Sequence, residues 1–489
     1  MTKVGSRNLA RFAEDVFERR GDYPALWFEG EWLSSQQLFE RSRRVAAGLA
    51  ARGLGPGERV VVLMENSPDV AVAYHAIWRA GGVVTPAIFL LSAEELGRLV
   101  ADASPALVLS SPALAELAGA AAAGVAVVDD VAAVEAEGSS PIVPRADDDL
   151  AALVYTGGTT GRAKGVMLTH ANLWEAGRRG HEAGHVPGIE RSLSSLPLAH
   201  SYGLLVLNVA LHHPERPQSV LMRWFEAETW LRLVAEHRVQ IAPVVPSMLY
   251  MLLVQPLEEY DLSALRFVAS GAAPLAAGAL EEFVRRVPGV EIREGYGLTE
   301  TSALVSTNPP GRSRPGTVGP PVPGTEVRIV DGEICVRSDL VMAGYWNAPG
   351  LTAETIRDGW LYTVDMGRLD EGGYLTVVDR KKDLIIRGGF NVFPSDIEDA
   401  LLEHAAVATA CVLGRPDELH GEEVVAFVTL ADEVSEDELV AFGRQRLGGY
   451  KYPREIHILD ELPLTPVGKA DRKALRARLQ LERGGTRAT

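Results

Sequence analysis

The segment Tyr155-Thr156-Gly157-Gly158-Thr159-Thr160-Gly161-Arg162-Ala163-Lys164-Gly165 gathers residues that can hold a polyanion. Seven of its eleven residues are Gly or Thr, and a lysine stands near its end. Glycines let backbone N–H groups approach a phosphate closely, because no Cβ intervenes. Threonine hydroxyls donate further hydrogen bonds, and lysine adds a point charge. The combination suits a nucleoside triphosphate tail. It is not a Walker A loop, since no Gly-Lys-Ser/Thr closes it. By itself such a loop could equally be a flexible surface turn. Four distant segments change that weighing.

The first is Leu196-Pro197-Leu198-Ala199-His200-Ser201-Tyr202-Gly203, and the second Gly295-Tyr296-Gly297-Leu298-Thr299-Glu300. The third runs from Trp360-Leu361-Tyr362-Thr363-Val364-Asp365 to Asp379-Arg380-Lys381-Lys382-Asp383 and Arg387-Gly388-Gly389-Phe390. The fourth is Leu462-Pro463-Leu464-Thr465-Pro466-Val467-Gly468-Lys469. Singly, Tyr296 could be a core aromatic, Glu300 a solvated acid and Lys469 a surface lysine near a glycine turn. Together and in this order, the segments resemble the adenylate-forming superfamily: acyl-CoA synthetases, nonribosomal-peptide adenylation domains and luciferases. The likeness is greatest to an acyl- or aryl-CoA ligase. It covers nearly the whole chain, from a helix near Leu38 to Lys469 and beyond.

The resemblance implies ATP-dependent conversion of a carboxylic acid to an acyl-adenylate, with release of pyrophosphate, then transfer to a thiol. Two anions must meet, so catalysis is mostly positioning and charge neutralisation. On this reading Thr156, Gly157, Gly158, Thr159, Thr160, Gly161 and Lys164 hold the β- and γ-phosphates. Tyr296 and Gly297 lie against the adenine, with Gly271-Ala272-Ala273-Pro274 walling its other side. Thr299 contacts the α-phosphate, and Glu300 holds Mg²⁺, a hard cation that prefers oxygen ligands. Asp365 and Arg380 bind the ribose. Lys469 serves adenylation as a long flexible cation, and His200 acts as a gate between acid and thiol, although a histidine there could also be a satisfied core residue. Lys382 is the hinge, and Gly388-Gly389 would let a pantetheine arm pass close to backbone.

Three positions depart from the family's usual residues: Gly158 for Ser, Ala163 for Pro and Val364 for Gly. Valine is β-branched and restricts the backbone, so a differently shaped turn is expected before Asp365. The thiol is coenzyme A or the phosphopantetheine of an acyl carrier protein. Arg444, Arg446, Lys451 and Arg454 are candidates for coenzyme A phosphates, or simply a solvated face. Ser201, Leu204, Val245, Met248, Ala303 and Leu304 fall in the largely apolar segments expected around the acid. An acyl chain or an aromatic ring fits such a wall. Relatives that activate amino acids usually carry Asp where Ser201 stands. An enzyme with a non-thiol acceptor, or a nucleotide-binding relative without turnover, are the other readings. The intact Glu300, Asp365, Arg380 and Lys469 weigh against the second.

These residues need a scaffold, and the rest of the chain supplies one. Leu38 to Arg52 has helical apolar spacing, Val60 to Met64 reads as a buried strand, and Val70 to Ala80 as a helix ended by Gly81-Gly82. The alternation predicts a mostly parallel α/β sheet. Ala113 to Val134 reads as a peripheral helix and strand. After Asn308, short alternating runs such as Glu326 to Val330 and Glu333 to Val336 suggest a small barrel or sheet. Helix and strand then alternate in a short α+β unit. The expected organisation is a large N-terminal adenylate-forming domain over 1–378, a hinge at 379–382 and a smaller mobile C-terminal domain over 383–489.

The chain has 489 residues, too many for one ordinary core. A net charge of −17 argues against nucleic-acid binding. The two cysteines, Cys335 and Cys411, lie far apart without metal-ligand spacing and are expected as reduced core residues. His212 and His213 form no zinc spacing with His200. With a charged N-terminus and no apolar run of spanning length, the protein reads as cytoplasmic. Its expected partner is a small-molecule carboxylic acid.

Overall fold

The computed structural model describes residues 5–156, 164–380, 383, 385–387, 390–417, 420–447, 451–465 and 469–485. The backbone gathers into two compact units. The first comprises 1–273, 281–327 and 336–362; the second 274–280, 328–335 and 363–489.

The first unit carries two large sheets. In one, the strands run in the order Ser306–Thr307, Glu291–Tyr296, Phe267–Ser270, Ile241–Val244, Arg191–Ser194, Gln218–Leu221, Pro24–Phe28 and Glu31–Ser34. The inner pairings are parallel, and the two end strands are antiparallel to their neighbours. Parallel neighbours bring their carboxyl ends to one edge. In open α/β sheets, ligands bind in the crevice outside that edge. The turns that follow these strands hold Tyr296 to Glu300, Gly271 to Ala273, Val245 to Met248, and His200 with Ser201.

The second sheet includes Arg59–Leu63, Val83–Ala87, Leu107–Ser110 and the hairpin Leu150–Thr156 with Lys164–Thr169. The short strand Gly344–Tyr345 adds to this hairpin at the sheet edge. Arg59–Leu63 reads Arg-Val-Val-Val-Leu, the continuous apolar run of a strand covered on both faces. The helix Ser35–Ala51 starts with a reciprocal capping box between Ser34 and Gln37. The helix Pro68–Arg79 starts with proline, whose missing N–H leaves no bond unmade there. Trp78 on this helix is buried and donates to the Ala151 carbonyl at 2.9 Å, tying helix to hairpin. The segment 113–134 is a short helix, Ala115–Ala121, and a strand, Ala126–Val128, flanked by 3₁₀ turns.

In the second unit, Val407–Asp417 pairs antiparallel with Gly421–Leu430, which pairs in parallel with Glu455–Ile458. The helices Pro394–Leu402 and Glu436–Arg446 cover an apolar core that includes Ile397, Leu401, Val412, Val428 and Leu439. Cys335 and Cys411 are both buried and form no disulfide among the described residues, and burial pushes the Cys411 thiol up to about 12. Among the described residues, no helix is long and apolar enough to cross a membrane.

Left-handed backbone occurs at several places where the sequence places chemistry. Of the eleven described non-glycine residues with positive φ, Ala272, Ser302, Ala303 and Val364 lie in or beside the segments singled out above. Such conformations store strain and cluster at functional sites. Val364 is the sharpest case, because a β-branched residue takes φ of 65° there. Val364 lies within the strand Trp360–Leu369, where it distorts the strand locally into a conformation that glycine would adopt freely. The Val364 N–H donates to the Glu333 carboxylate at 2.9 Å, and Thr363 donates to the Ile334 carbonyl at 2.8 Å. These bonds hold the distorted strand against a strain of about 1–2 kcal/mol.

Two outcomes follow. Val364→Gly should be more stable than Val364→Ala by about 1 kcal/mol in urea denaturation, the reverse of the usual order. Alanine the more stable would mean the position carries no left-handed strain. Burial also pushes His75, His170, His181 and His212 from 6.5 down to about 4. Because these folded values lie below the unfolded one, their contribution is intact above about pH 6.5 and is lost as pH falls toward about 4. The urea midpoint should drop between about pH 7 and about pH 5, and drop less in His75→Leu.

Candidate active site

In the first unit, the strand ahead of the Gly/Thr loop runs through to Thr156, and the strand after it begins at Lys164. The two residues face each other directly across the hairpin. Gly157, Gly158, Thr159, Thr160 and Gly161 lie outside the described residues. The hairpin base is anchored by Tyr155, whose hydroxyl donates to Asp102 at 2.6 Å.

The Tyr296-to-Glu300 segment leaves the strand Glu291–Tyr296 and turns sharply. Leu298 N–H donates to Thr301 Oγ1 at 3.0 Å, and Ala303 N–H to the Leu298 carbonyl at 2.8 Å. A Cβ at Gly297 would stand 2.2 Å from the Ala303 carbonyl oxygen, so only glycine fits. Ser302 and Ala303 complete the turn in left-handed backbone. Thr299 is buried, and its hydroxyl donates to Ser201 Oγ at 3.0 Å. Tyr296 is half-buried at the strand end.

Glu300 accepts a hydrogen bond from the Tyr345 hydroxyl at 2.7 Å. The Lys164 ammonium lies 5.4 Å from the centroid of the same tyrosine ring. Tyr345 thus joins the hairpin that bears Lys164 to the Thr-Glu turn. Burial, with the Glu300 charge second, pushes its phenol upward, so it remains a proton donor. Sequence reasoning did not single out Tyr345. The signal was Met342-Ala343-Gly344-Tyr345-Trp346, an aromatic pair beside glycine that sits between better-defined segments.

His200 caps the helix Ser201–His212: its Nδ1 accepts from the Tyr202 N–H at 3.2 Å. Gly203 follows because a Cβ there would lie 2.2 Å from the Pro197 carbonyl oxygen. The Tyr202 hydroxyl donates to the Ala269 carbonyl at 3.0 Å, holding its ring beside Gly271. Gly271 and Ala272 leave the strand Phe267–Ser270, with Ala272 left-handed; Ala273 and Pro274 follow. Leu204 and Leu304 are buried in apolar clusters, and Ala303 packs against the second of these. Val245 and Met248 are half-buried around the start of the helix Pro246–Leu253, and Met248 Sδ lies 3.8 Å from Ser195 Oγ. His212 packs between Phe12 and Trp174, while His213 bonds the Ile189 carbonyl and the Glu215 N–H. Arg20 donates to the carbonyls of Ala210, Leu211 and His213, closing the end of that helix. The His-His segment is structural.

The second unit holds the remaining residues. Asp365 is buried and stands directly opposite Arg380 across the antiparallel strands Trp360–Leu369 and Leu375–Arg380. Lys469 is half-buried and is bonded to Thr465. Its N–H bonds Thr465 Oγ1 at 3.2 Å, and its carbonyl accepts from the Thr465 N–H at 2.6 Å. Lys382, Gly388 and Gly389 lie outside the described residues. Arg387 makes a two-pronged pair with Glu423, at 2.6 and 3.0 Å. Among the described residues, Asp417, His420 and Glu423 are the group with metal-ligand proximity, but Glu423 is already committed to Arg387. Of the four basic candidates, Arg446 pairs with Glu403 and Lys451 with Asp396, and Arg454 lies over the Tyr452 ring; Arg444 is exposed.

Glu300 suits a hard cation. It is a half-buried carboxylate with one oxygen bonded to Tyr345 and the other open to a further partner.

The AMP-binding enzyme family matches residues 12–346, and the AMP-binding enzyme C-terminal domain matches residues 396–469. A long-chain-fatty-acid–CoA ligase of Bacillus subtilis (strain 168) is 33% identical, with 96% of this chain and 94% of that protein covered. A feruloyl-CoA synthase of Amycolatopsis sp is 35% identical, with 92% and 94% covered. The crystal structure of ATP-bound MatB from Rhodopseudomonas palustris superposes with a TM-score of 0.89 at 32% identity, over 96% of this chain and 99% of that one. The chain belongs to the AMP-binding enzymes, and it is an AMP-forming acid–thiol ligase that adenylates a carboxylic acid with ATP and passes the acyl group to a thiol.

Proposed function

We propose that this ligase activates an acid with an apolar body, an acyl chain or an aryl ring, and transfers it to coenzyme A. The observation that carries this is the edge where Thr299, Glu300, Tyr345 and Lys164 converge at the carboxyl ends of the parallel strands. The apolar side chains of Val245, Met248 and Leu304 support an apolar acid. Relatives named for a long-chain fatty acid and for ferulate support the same class.

In the first half-reaction an acid oxygen attacks the α-phosphorus and pyrophosphate leaves. Thr299 would release Ser201 and donate to the α-phosphate. Lys164 and the Gly/Thr loop neutralise the leaving pyrophosphate, and Lys469 bridges acid and α-phosphate as charge moves between them. Glu300 would hold Mg²⁺, which supplies charge neutralisation when bound. Tyr296 faces the adenine opposite Gly271, Ala272, Ala273 and Pro274, and Asp365 with Arg380 engages the ribose. In the second half-reaction the thiol attacks the acyl carbon and AMP departs. Lys469 then withdraws by rotation of a C-terminal domain (383–489) about Lys382, within the hinge 379–382. Gly388-Gly389 would admit the pantetheine arm past His200. An acyl carrier protein is the alternative thiol donor, and the cytoplasm the proposed compartment, supported by two buried cysteines that form no disulfide among the described residues.

Pyrophosphate release across a panel of fatty and aryl acids, with and without coenzyme A, tests the substrate reading. Release that needs an amine, or no acceptor chemistry with coenzyme A for any acid, would refute it. Lys469→Ala should slow acid-dependent ATP–pyrophosphate exchange on the order of 100-fold or more. Thioester formation from preformed acyl-adenylate should be largely kept. Equal losses in both half-reactions would contradict the role given to Lys469.

A further inference from the structure

We infer that Tyr345 is a positioning residue that presents the Glu300 carboxylate to the divalent cation of the nucleotide and keeps that carboxylate from closing onto Lys164. The inference rests on the proposal that Glu300 holds Mg²⁺.

The geometry has three parts. The Tyr345 hydroxyl engages one Glu300 oxygen at 2.7 Å, which fixes the carboxylate and leaves its other oxygen for a hard cation. The ring of the same residue receives the Lys164 ammonium at 5.4 Å from its centroid. Opposite charges that share a neighbour would otherwise be drawn together, yet Lys164 and Glu300 form no ion pair with each other. The aromatic residue gives the ammonium a neutral partner and the carboxylate a neutral donor.

The backbone holds Tyr345 to both groups. The strand Gly344–Tyr345 pairs with Lys164–Thr169, Tyr345 opposite Val166, and Trp346 N–H donates to the Gly165 carbonyl at 2.7 Å. On the other side, Met342 N–H donates to the Glu300 carbonyl at 2.9 Å, and Ser302 Oγ donates to the Leu340 carbonyl at 3.0 Å. Tyr345 N–H is itself fixed to Thr352 Oγ1 at 2.9 Å. The segment 340–346 is thus a clamp between the lysine-bearing strand and the Thr-Glu turn, with a side chain in the clamp that touches both charges. Partners that orient a metal-binding carboxylate affect metal affinity by about 10–100-fold.

The experiment is ATP binding by calorimetry across a Mg²⁺ titration, without acid or coenzyme A, on the full chain. Tyr345→Phe keeps the ring and removes the hydroxyl. It should need about tenfold more Mg²⁺ for half-maximal tight ATP binding, with any weakening of Mg²⁺-free ATP binding smaller than that and thermal melting unchanged. Tyr345→Gln retains a donor and should fall closer to wild type in Mg²⁺ dependence than Tyr345→Leu. Wild-type Mg²⁺ dependence in Tyr345→Phe, equal weakening with and without Mg²⁺, or no advantage of Gln over Leu would each overturn the inference. Glu300→Gln separates the two levels. If it loses the Mg²⁺ dependence and Tyr345→Phe does not, the inference fails and the metal proposal stands. If Glu300→Gln keeps the dependence, the metal proposal fails, and the inference with it.

Discussion

A site for a nucleoside triphosphate must keep a cation and a carboxylate close together without letting them satisfy each other. Two unit charges about 4 Å apart attract by roughly 4 kcal/mol at the effective dielectric of a protein surface. An ion pair of that strength would have to be broken before the nucleotide could bind. Here the ring and hydroxyl of Tyr345 take up that role between Lys164 and Glu300. The rest of the first unit is arranged to support the contact. One sheet brings the hairpin that begins at Lys164, the other brings the turn that holds Glu300, and the segment 340–346 bonds to both.

The left-handed positions in each unit are held, not relaxed. Ala272, Ser302, Ala303 and Val364 sit in left-handed backbone that most side chains avoid. Each stands next to a residue with a proposed task, and Ser302, Ala303 and Val364 are fixed by hydrogen bonds within their own unit. For Val364 these come from Glu333, thirty-one positions earlier in the chain. Strain of this kind persists only where the surrounding fold over-determines it. On the proposed function, it would set the backbone beside the site residues before the nucleotide arrives, the preorganisation that electrostatic catalysis requires.

Much of this was legible in the sequence. The helix predicted near Leu38 to Arg52 forms over Ser35–Ala51, and the strand predicted over Val60 to Met64 forms over Arg59–Leu63. These succeed because capping residues, glycine stops and apolar runs act locally. The motif segments were recognisable because their glycines and charged residues are dense and closely spaced. Tyr345 was not, because its contact with Glu300 spans 45 positions and a lone tyrosine announces no partner. The left-handed backbone at Val364 was not legible for the same reason. A β-branched residue argues locally against left-handed backbone, and the carboxylate of Glu333 that decides the matter is remote in sequence. Leu204 shows the converse: an apolar residue in the right segment, buried in the main core.

The central claim is that the acyl-adenylate forms at the carboxyl edge of the eight-stranded sheet, against the turn Tyr296 to Glu300. A crystal structure with a non-hydrolysable acyl-sulfamoyl adenosine tests it most directly. The account predicts the sulfamoyl group within about 3 Å of Thr299 Oγ1, which will have left Ser201, and the adenine against Tyr296. An analogue bound elsewhere, or bound there with the Thr299–Ser201 hydrogen bond intact and the sulfamoyl group out of its reach, would contradict it.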